Sequence, residues 1–163
     1  MNELDARIQR LEDIEQIRQL KARYFHNCDR KNISAIKRCF CPGAVHIDYG
    51  ALGVFSSRED FLALYEELAC HDHIVDMHHG QNAQIQWQTT TSASATWDLY
   101  FHQIDQQNKT LTQLAGYYED EYLKQDGHWQ IKRTVFRVTS TCLVQMDDTK
   151  LQLLFAGKQA PAP

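Results

Sequence analysis

Long apolar runs, paired cysteines and a concentration of basic residues are all missing from this chain of 163 residues. Its five cysteines are odd in number and include no CxxC pair, so neither a disulfide framework nor a zinc finger is indicated. No apolar run approaches the roughly 20 residues that span a bilayer, and the first residues, MNELDARIQRLEDIEQ, are too charged for a signal peptide. We therefore expect a cytoplasmic protein, in a reducing compartment, that does not bind membranes.

The charged residues are mixed along the chain and give a formal net charge of -4. No basic stripe is present that could neutralise a row of phosphates, which argues against a nucleic acid partner. The eight histidines include no HExxH motif and no carboxylate-histidine cluster at ligand spacing, so we expect neither a metal ion nor another cofactor. The length fits one domain, which we assign to residues 1–155, and residues 156–163 are expected to form a flexible tail.

The N-terminal third has the periodicity of amphipathic helices. Asp13 and Gln16 have the spacing of a helix cap, which predicts a short helix followed by a longer one within the first 30 residues. Ser34 is expected to cap a second segment, and Ser56 or Ser57 a helix over the sequence REDFLALYEELA. The apolar positions that define the first helical face are Leu4, Ile8, Leu11, Ile14 and Ile17.

The remainder of the chain has the pattern of a sheet. A short strand is predicted at AVHIDYG, and four long strands follow from His78 onward, where β-branched and aromatic residues alternate with period two. The connections between them, TTTS, QQNK and QDG, are short and polar, which favours antiparallel neighbours. The predicted fold class is therefore α+β, with a curved, cone-shaped, mixed but mainly antiparallel sheet packed on N-terminal helices. A ligand is expected in the mouth of this cone.

Four short motifs follow one another along the chain. They are Asp29 at the end of the first helical region, the IDYG segment with Tyr49, an HxGxN segment that begins at His78, and a DGxW turn at residues 126–129. In this order and spacing the chain resembles the SnoaL-like branch of the nuclear transport factor 2 superfamily. It is similar to scytalone dehydratase in the first two motifs and to hexachlorocyclohexane dehydrochlorinase in the last two. The resemblance covers most of residues 10–140 and implies the cone fold.

The resemblance also implies a cofactor-independent lyase or isomerase in which His78 removes a proton and Asp29 orients its ring. Tyr49 corresponds to a pocket tyrosine that would stabilise an enolate oxygen, whereas the second pocket tyrosine of the dehydratase falls at Cys28. A neutral imidazole can accept a proton near neutral pH, and a carboxylate on its other nitrogen fixes the tautomer. Because His78 and His79 are adjacent in a predicted strand, only one can face the pocket, and we assign that position to His78.

The resemblance suggests further residues that would bind the substrate. The serine and asparagine of the dehydratase correspond to Gly116 and Tyr118, so scytalone is not the expected substrate. Arg133 and Arg137 both remain counterparts of an arginine in the dehydrochlorinase. We expect a small, mostly apolar carbonyl compound, such as a polyketide, steroid or aromatic metabolite. The candidate substrate-binding residues are Tyr24, Trp97, His102, Tyr118 and Arg137, and packing in the core is the preferred alternative for Tyr24 and Trp97.

A binding or assembly module without chemistry is the competing hypothesis, because a fold alone does not define a function. The presence of Asp29, His78 and Tyr49 together favours an enzyme, and the replacements at Gly116 and Tyr118 weigh against one. Strands such as TLTQLAGYYEDEY carry apolar residues at both odd and even positions, so both faces of the strand are partly apolar. This arrangement is costly if one face of the sheet meets water. We therefore expect a homo-oligomer, a trimer or a dimer, that binds a small apolar ligand.

Overall fold

A computed structural model describes residues 2–147 and 149–158. These residues form three α-helices and seven strands. The strands make one sheet in the order β2-β1-β6-β5-β4-β3, with β7 paired to β6, and every pair is antiparallel except β1 with β6. The predicted fold class is confirmed. The elements are α1 (Glu3–Asp29), α2 (Ile33–Cys39), β1 (Ala44–Asp48), β2 (Val54–Ser57), α3 (Arg58–Ala69), β3 (Ile74–Trp87), β4 (Ser92–Asp105), β5 (Thr110–Gln125), β6 (His128–Met146) and β7 (Leu151–Gly157).

The first helix is continuous, so the predicted restart near Asp13 is wrong. The helix begins with a reciprocal cap, in which the Asn2 side chain accepts a hydrogen bond from the backbone of Asp5 and the Asp5 side chain accepts one from the backbone of Asn2. The Asp13 carboxylate is buried and accepts hydrogen bonds from Lys124 Nζ at 2.6 Å and Trp129 Nε1 at 3.0 Å. Because distant side chains satisfy this carboxylate, it does not compete for the backbone of its own helix.

The other helix starts agree with the sequence in part. Asn32 rather than Ser34 caps α2, because its side chain accepts a hydrogen bond from the Ala35 backbone at 3.1 Å. Ser57 caps α3 by accepting from the Asp60 backbone at 3.1 Å, and here the prediction is confirmed.

A strand that the sequence did not predict, β7, pairs with the end of β6. It reaches Gly157, which is opposite Thr141, so residues 156 and 157 of the expected tail belong to the sheet. Residues 159–163 of that tail lie outside the described residues. None of the helices in the described part of the chain is both long and apolar enough to cross a membrane.

The core lies between the helices and one face of the sheet, here called the inner face. Period-two alternation along β4 places Ala93, Ala95, Trp97 and Leu99 on this face, and all four are buried. From α1, residues at helical spacing pack against them: Ile17, Leu20, Tyr24 and Cys28. The candidate site is built on this inner face.

Candidate active site

Asp29 and His78 form a hydrogen-bonded pair at the rim of the interior. Asp29 is the last residue of α1, and its Oδ1 accepts a hydrogen bond from the backbone N–H of His78 at 3.0 Å and lies 2.6 Å from Nδ1 of the same residue. The two side chains are therefore in hydrogen-bond contact. Because an ionised carboxylate can only accept hydrogen bonds, Nδ1 carries the proton, and in the neutral ring Nε2 keeps a lone pair.

Aromatic rings surround the His78 imidazole. The Phe25 ring stacks on it with centroids 5.8 Å apart and planes 14° from parallel, and the Phe101 centroid lies 4.6 Å away. Phe25 can approach β3 here because Gly80 has no side chain, since a Cβ at Gly80 would lie 2.1 Å from Phe25 Cε2. The glycine of the HxGxN segment therefore makes room for the ring that covers the histidine.

Two tyrosine hydroxyls contact each other in the same interior. Tyr24 Oη lies 2.7 Å from Tyr49 Oη, and burial raises the pKa of both hydroxyls above its ordinary value, so both remain protonated. One hydroxyl donates to the other, so the second hydroxyl has a proton that it can donate to an oxygen of a ligand. The Tyr118 ring packs against Tyr49 at 6.0 Å and against Phe25 at 5.6 Å, which continues the aromatic lining.

A buried ion pair, not predicted from the sequence, lies on the same face. Lys21 Nζ is 2.7 Å from Asp120 Oδ2, and their side chains are 1% and 0% exposed. Tyr122 donates to the same carboxylate oxygen at 2.6 Å, and Trp97 Nε1 donates to the Tyr122 hydroxyl at 2.9 Å. Burial lowers the pKa of Lys21, and the charge of Asp120 opposes that shift. The ammonium also lies 3.6 Å from the centroid of the Tyr118 ring.

Two predicted substrate-binding residues lie away from this interior. Phe101 packs on His78, so alternation along β4 turns His102 toward the opposite, outer face of the sheet. Arg137 is 47% exposed, and its Nη1 lies 3.4 Å from Asp48 Oδ2. The expectation that His102 and Arg137 bind substrate is therefore corrected. Trp97 packs in the core, which was the preferred alternative, and its indole N–H is used by the buried chain of hydrogen bonds.

Two open grooves lie elsewhere on the surface. One of about 370 Å³ runs between α1, α2 and β6, and one of about 270 Å³ is lined by residues of β3 to β6. Neither is lined by His78, Asp29 or the tyrosine pair, so we place the candidate site in the interior, where the side chains of His78 and Asp29 meet. Within the residues that the structure describes, no group of three or more His, Cys, Asp or Glu side chains is arranged to hold a metal ion.

The helices and curved sheet have the same fold as a nuclear transport factor 2-like protein whose structure has been solved. That protein, from Novosphingobium aromaticivorans, is 18% identical, with a TM-score of 0.70, over 83% of this chain and 87% of that one. A sequence model of the SnoaL-like domain matches residues 9–135, and the chain belongs to this family.

Two further solved structures resemble the chain over nearly its whole length. A candidate scytalone dehydratase from Novosphingobium aromaticivorans is 18% identical, with a TM-score of 0.76, over 95% of this chain and 97% of that one. The hexachlorocyclohexane dehydrochlorinase LinA-type3 from Novosphingobium barchaimii is 16% identical, with a TM-score of 0.72, over 96% and 99%. At these identities the likeness shows the fold.

Proposed function

We propose that the chain is a cofactor-independent lyase or isomerase that removes a proton from a small, mostly apolar carbonyl compound. The observation that carries this proposal is the contact of His78 Nδ1 with Asp29 Oδ1 at 2.6 Å beside a pair of tyrosine hydroxyls. Structures named for a dehydratase and a dehydrochlorinase share the fold, which supports an elimination. The aromatic lining of Phe25, Phe101 and Tyr118 suits an apolar substrate.

In the first step, His78 Nε2 takes a proton from the carbon next to the carbonyl group. The electron pair of the broken C–H bond moves into a new C=C bond, and the carbonyl oxygen becomes an enolate oxygen. Asp29 stabilises the imidazolium that forms, because its carboxylate already holds Nδ1–H. The second hydroxyl of the Tyr24 and Tyr49 pair stabilises the enolate oxygen by a hydrogen bond and keeps its proton, and this effect is largest in an interior without water.

The second step has two possible outcomes that depend on the substrate. If the neighbouring carbon carries a leaving group, that group departs with its bonding electrons while the carbonyl group re-forms, and the product is an unsaturated carbonyl compound. A leaving hydroxide takes the proton from the His78 imidazolium, so the base is restored. If no leaving group is present, the same proton returns to another carbon and the double bond is shifted.

Proton exchange into deuterated water tests the proposal without knowledge of the natural substrate. Small ketones and aldehydes are incubated with the protein in deuterated water, and loss of the α-proton signal is followed by NMR. We expect the protein to accelerate exchange for at least one aromatic or alicyclic ketone, and the His78→Ala variant to exchange it no faster than buffer. If no compound in a broad panel exchanges faster than in buffer, the proposal is wrong and a binding module is favoured.

We also propose that the chain forms a homo-oligomer through the outer face of β3 to β5. Met77, Tyr100 and Tyr117 are 50%, 40% and 37% exposed there, each next in sequence to a residue of the inner face. Large exposed apolar side chains on neighbouring strands are typical of interfaces. Light scattering at micromolar concentration is expected to give two or three times 19.0 kDa. Tyr100→Glu should shift the mass toward a monomer, and a wild-type protein that is already monomeric would contradict this proposal.

A further inference from the structure

The Asp120 carboxylate uses only one of its two oxygens. Oδ2 accepts hydrogen bonds from both Lys21 Nζ and Tyr122 Oη, at 2.7 Å and 2.6 Å. Oδ1 is buried and has no hydrogen-bond partner among the described residues. The same is true of Thr134 Oγ1, whose residue is 0% exposed. Buried polar atoms without a partner are uncommon in folded proteins, so two of them close together are a candidate place for a polar group of a ligand.

Strand register brings these two atoms together. Asp120 on β5 is directly opposite Thr134 on β6, and both side chains are on the buried face, so they are cross-strand neighbours. β1 pairs with β6 at Thr134 through Ile47, two residues before Tyr49. Burial raises the pKa of Tyr49, the nearby negative charge of Asp120 adds to that rise, and a contact with the Thr134 hydroxyl opposes it, so Asp120 and Thr134 both lie near the tyrosine pair. The two unpartnered atoms thus adjoin the proposed site.

The chemistry of these atoms selects the group that they would bind. A carboxylate oxygen accepts a hydrogen bond, and a threonine hydroxyl can both donate and accept. A cation is disfavoured because Lys21 already neutralises Asp120, and an anion is disfavoured because it would meet the carboxylate. A neutral hydroxyl group satisfies both atoms, by donating to Asp120 Oδ1 and accepting from Thr134 Oγ1.

We propose that Asp120 and Thr134 form a subsite that binds a hydroxyl group of the ligand. This inference rests on the proposed function for the carbonyl end of the ligand, and it narrows the substrate class to hydroxylated carbonyl compounds. A buried hydrogen bond to a charged acceptor is stronger than one between neutral groups, so a ligand without the hydroxyl binds more weakly.

Two ketones of the same shape test the subsite. The probes are 4-hydroxyphenylacetone and 4-methylphenylacetone, in which a hydroxyl group is exchanged for a methyl group, and their dissociation constants are measured by calorimetry. We expect the hydroxylated ketone to bind at least about tenfold more tightly. If the two ketones bind with equal affinity, the proposal is overturned. A water molecule held firmly between the two side chains would give this result.

Two matched threonine variants locate the effect. Thr134→Val removes the hydroxyl of the proposed subsite. Thr141→Val is the control, because its hydroxyl is also buried on β6 and also lacks a partner in the described part of the chain. Thr141 lies opposite Leu114 rather than Asp120. Thr134→Val should lower the affinity ratio of the two ketones by about threefold or more, because one of the two hydrogen bonds is lost. Thr141→Val should leave the ratio unchanged. Equal effects of the two substitutions overturn the proposal.

A double variant removes the subsite without leaving a buried charge. Lys21→Met combined with Asp120→Leu replaces the ion pair by apolar groups, a change that folded proteins often tolerate. The fold of this variant is checked by circular dichroism. The ratio of the two ketone affinities should fall to about one. A ratio that stays near tenfold overturns the proposal. Exchange of the α-protons is measured in the same samples. If the wild-type protein exchanges α-protons but binds the two ketones with equal affinity, only the subsite is contradicted. If the two ketones bind with unequal affinity but no exchange is seen, only the proposed function is contradicted.

Discussion

His78→Ala should lower turnover of a carbonyl substrate by about 10²–10⁴-fold, because it removes the general base. Tyr49→Phe should have a smaller effect, below the 10²–10³-fold that is typical for the loss of one oxyanion donor, because the Tyr24 hydroxyl at 2.7 Å remains. Steady-state kinetics with the best compound from the exchange panel measure both values. The order of the two effects is as informative as their size.

His79→Ala is the matched control for His78→Ala. His79 is the next residue on β3, it is exposed, and alternation turns it to the outer face, so its removal should leave turnover within about twofold of wild type. Circular dichroism and thermal unfolding of both variants separate loss of chemistry from loss of fold. If His78→Ala retained full activity, or if both substitutions lowered it equally, the role proposed for the Asp29 pair would be contradicted.

Lys21→Met should lower the free energy of unfolding by about 3–5 kcal/mol, the largest stability effect that we expect from a single substitution in this chain. The methionine fills much of the same space, but it leaves the Asp120 carboxylate without its cation in an interior where its side chain is 0% exposed. Removing one member of a buried pair is costly because an uncompensated charge stays behind. Urea denaturation measures the change.

Two further variants test the reason for that loss. Lys37→Met breaks an exposed pair with Glu59, whose side chains are 44% and 51% exposed, and it should change the stability little. Lys21→Met combined with Asp120→Leu should recover most of the stability lost in Lys21→Met, because no charge is left buried. If the double variant were as unstable as the single one, lost packing rather than an unpaired charge would be the cause.

The pair of Asp29 and His78 could be predicted because the short motifs that contain the two residues resemble those of the SnoaL-like family. The motif order pointed to both residues, and the period of a strand separated His78 from His79. The spacing could not show why the HxGxN segment carries its glycine and asparagine. Gly80 is needed because Phe25, from another element, lies against it, and Asn82 has a positive φ of 53° beside an irregularity in the β3 ladder.

The buried pair of Lys21 and Asp120 was missed because its members are 99 residues apart in the sequence. Two weak signals were present. Asp120 has the same strand parity as Tyr118 and Tyr122, and Lys21 lies four residues after Ile17 on the buried face of α1. Charged residues at apolar positions on two elements indicate a buried pair, but the pairing of β5 with α1 is tertiary information.

The wrong predictions for Asp13, His102 and Arg137 have a common cause. Each was made from the neighbouring sequence, without the residues that contact the side chain in the folded chain. For Asp13 those partners are Lys124 and Trp129, which lie more than 100 residues later in the chain. Successive side chains of a strand point to opposite faces of the sheet. His102 is separated from the buried Trp97 on β4 by an odd number of positions, which indicates that His102 lies on the outer face.

Long-range ¹H–¹⁵N correlation spectra of the imidazole rings test most directly whether His78 is a base oriented by Asp29. At about pH 8 an ordinary imidazole is neutral, and the nitrogen shifts report which nitrogen carries the proton. The His78→Ala spectrum identifies the signals of His78. We expect a protonated Nδ1, held by the Asp29 carboxylate at 2.6 Å, and an unprotonated Nε2 that is free to accept a proton. A His78 ring with its proton on Nε2 would contradict the proposed mechanism.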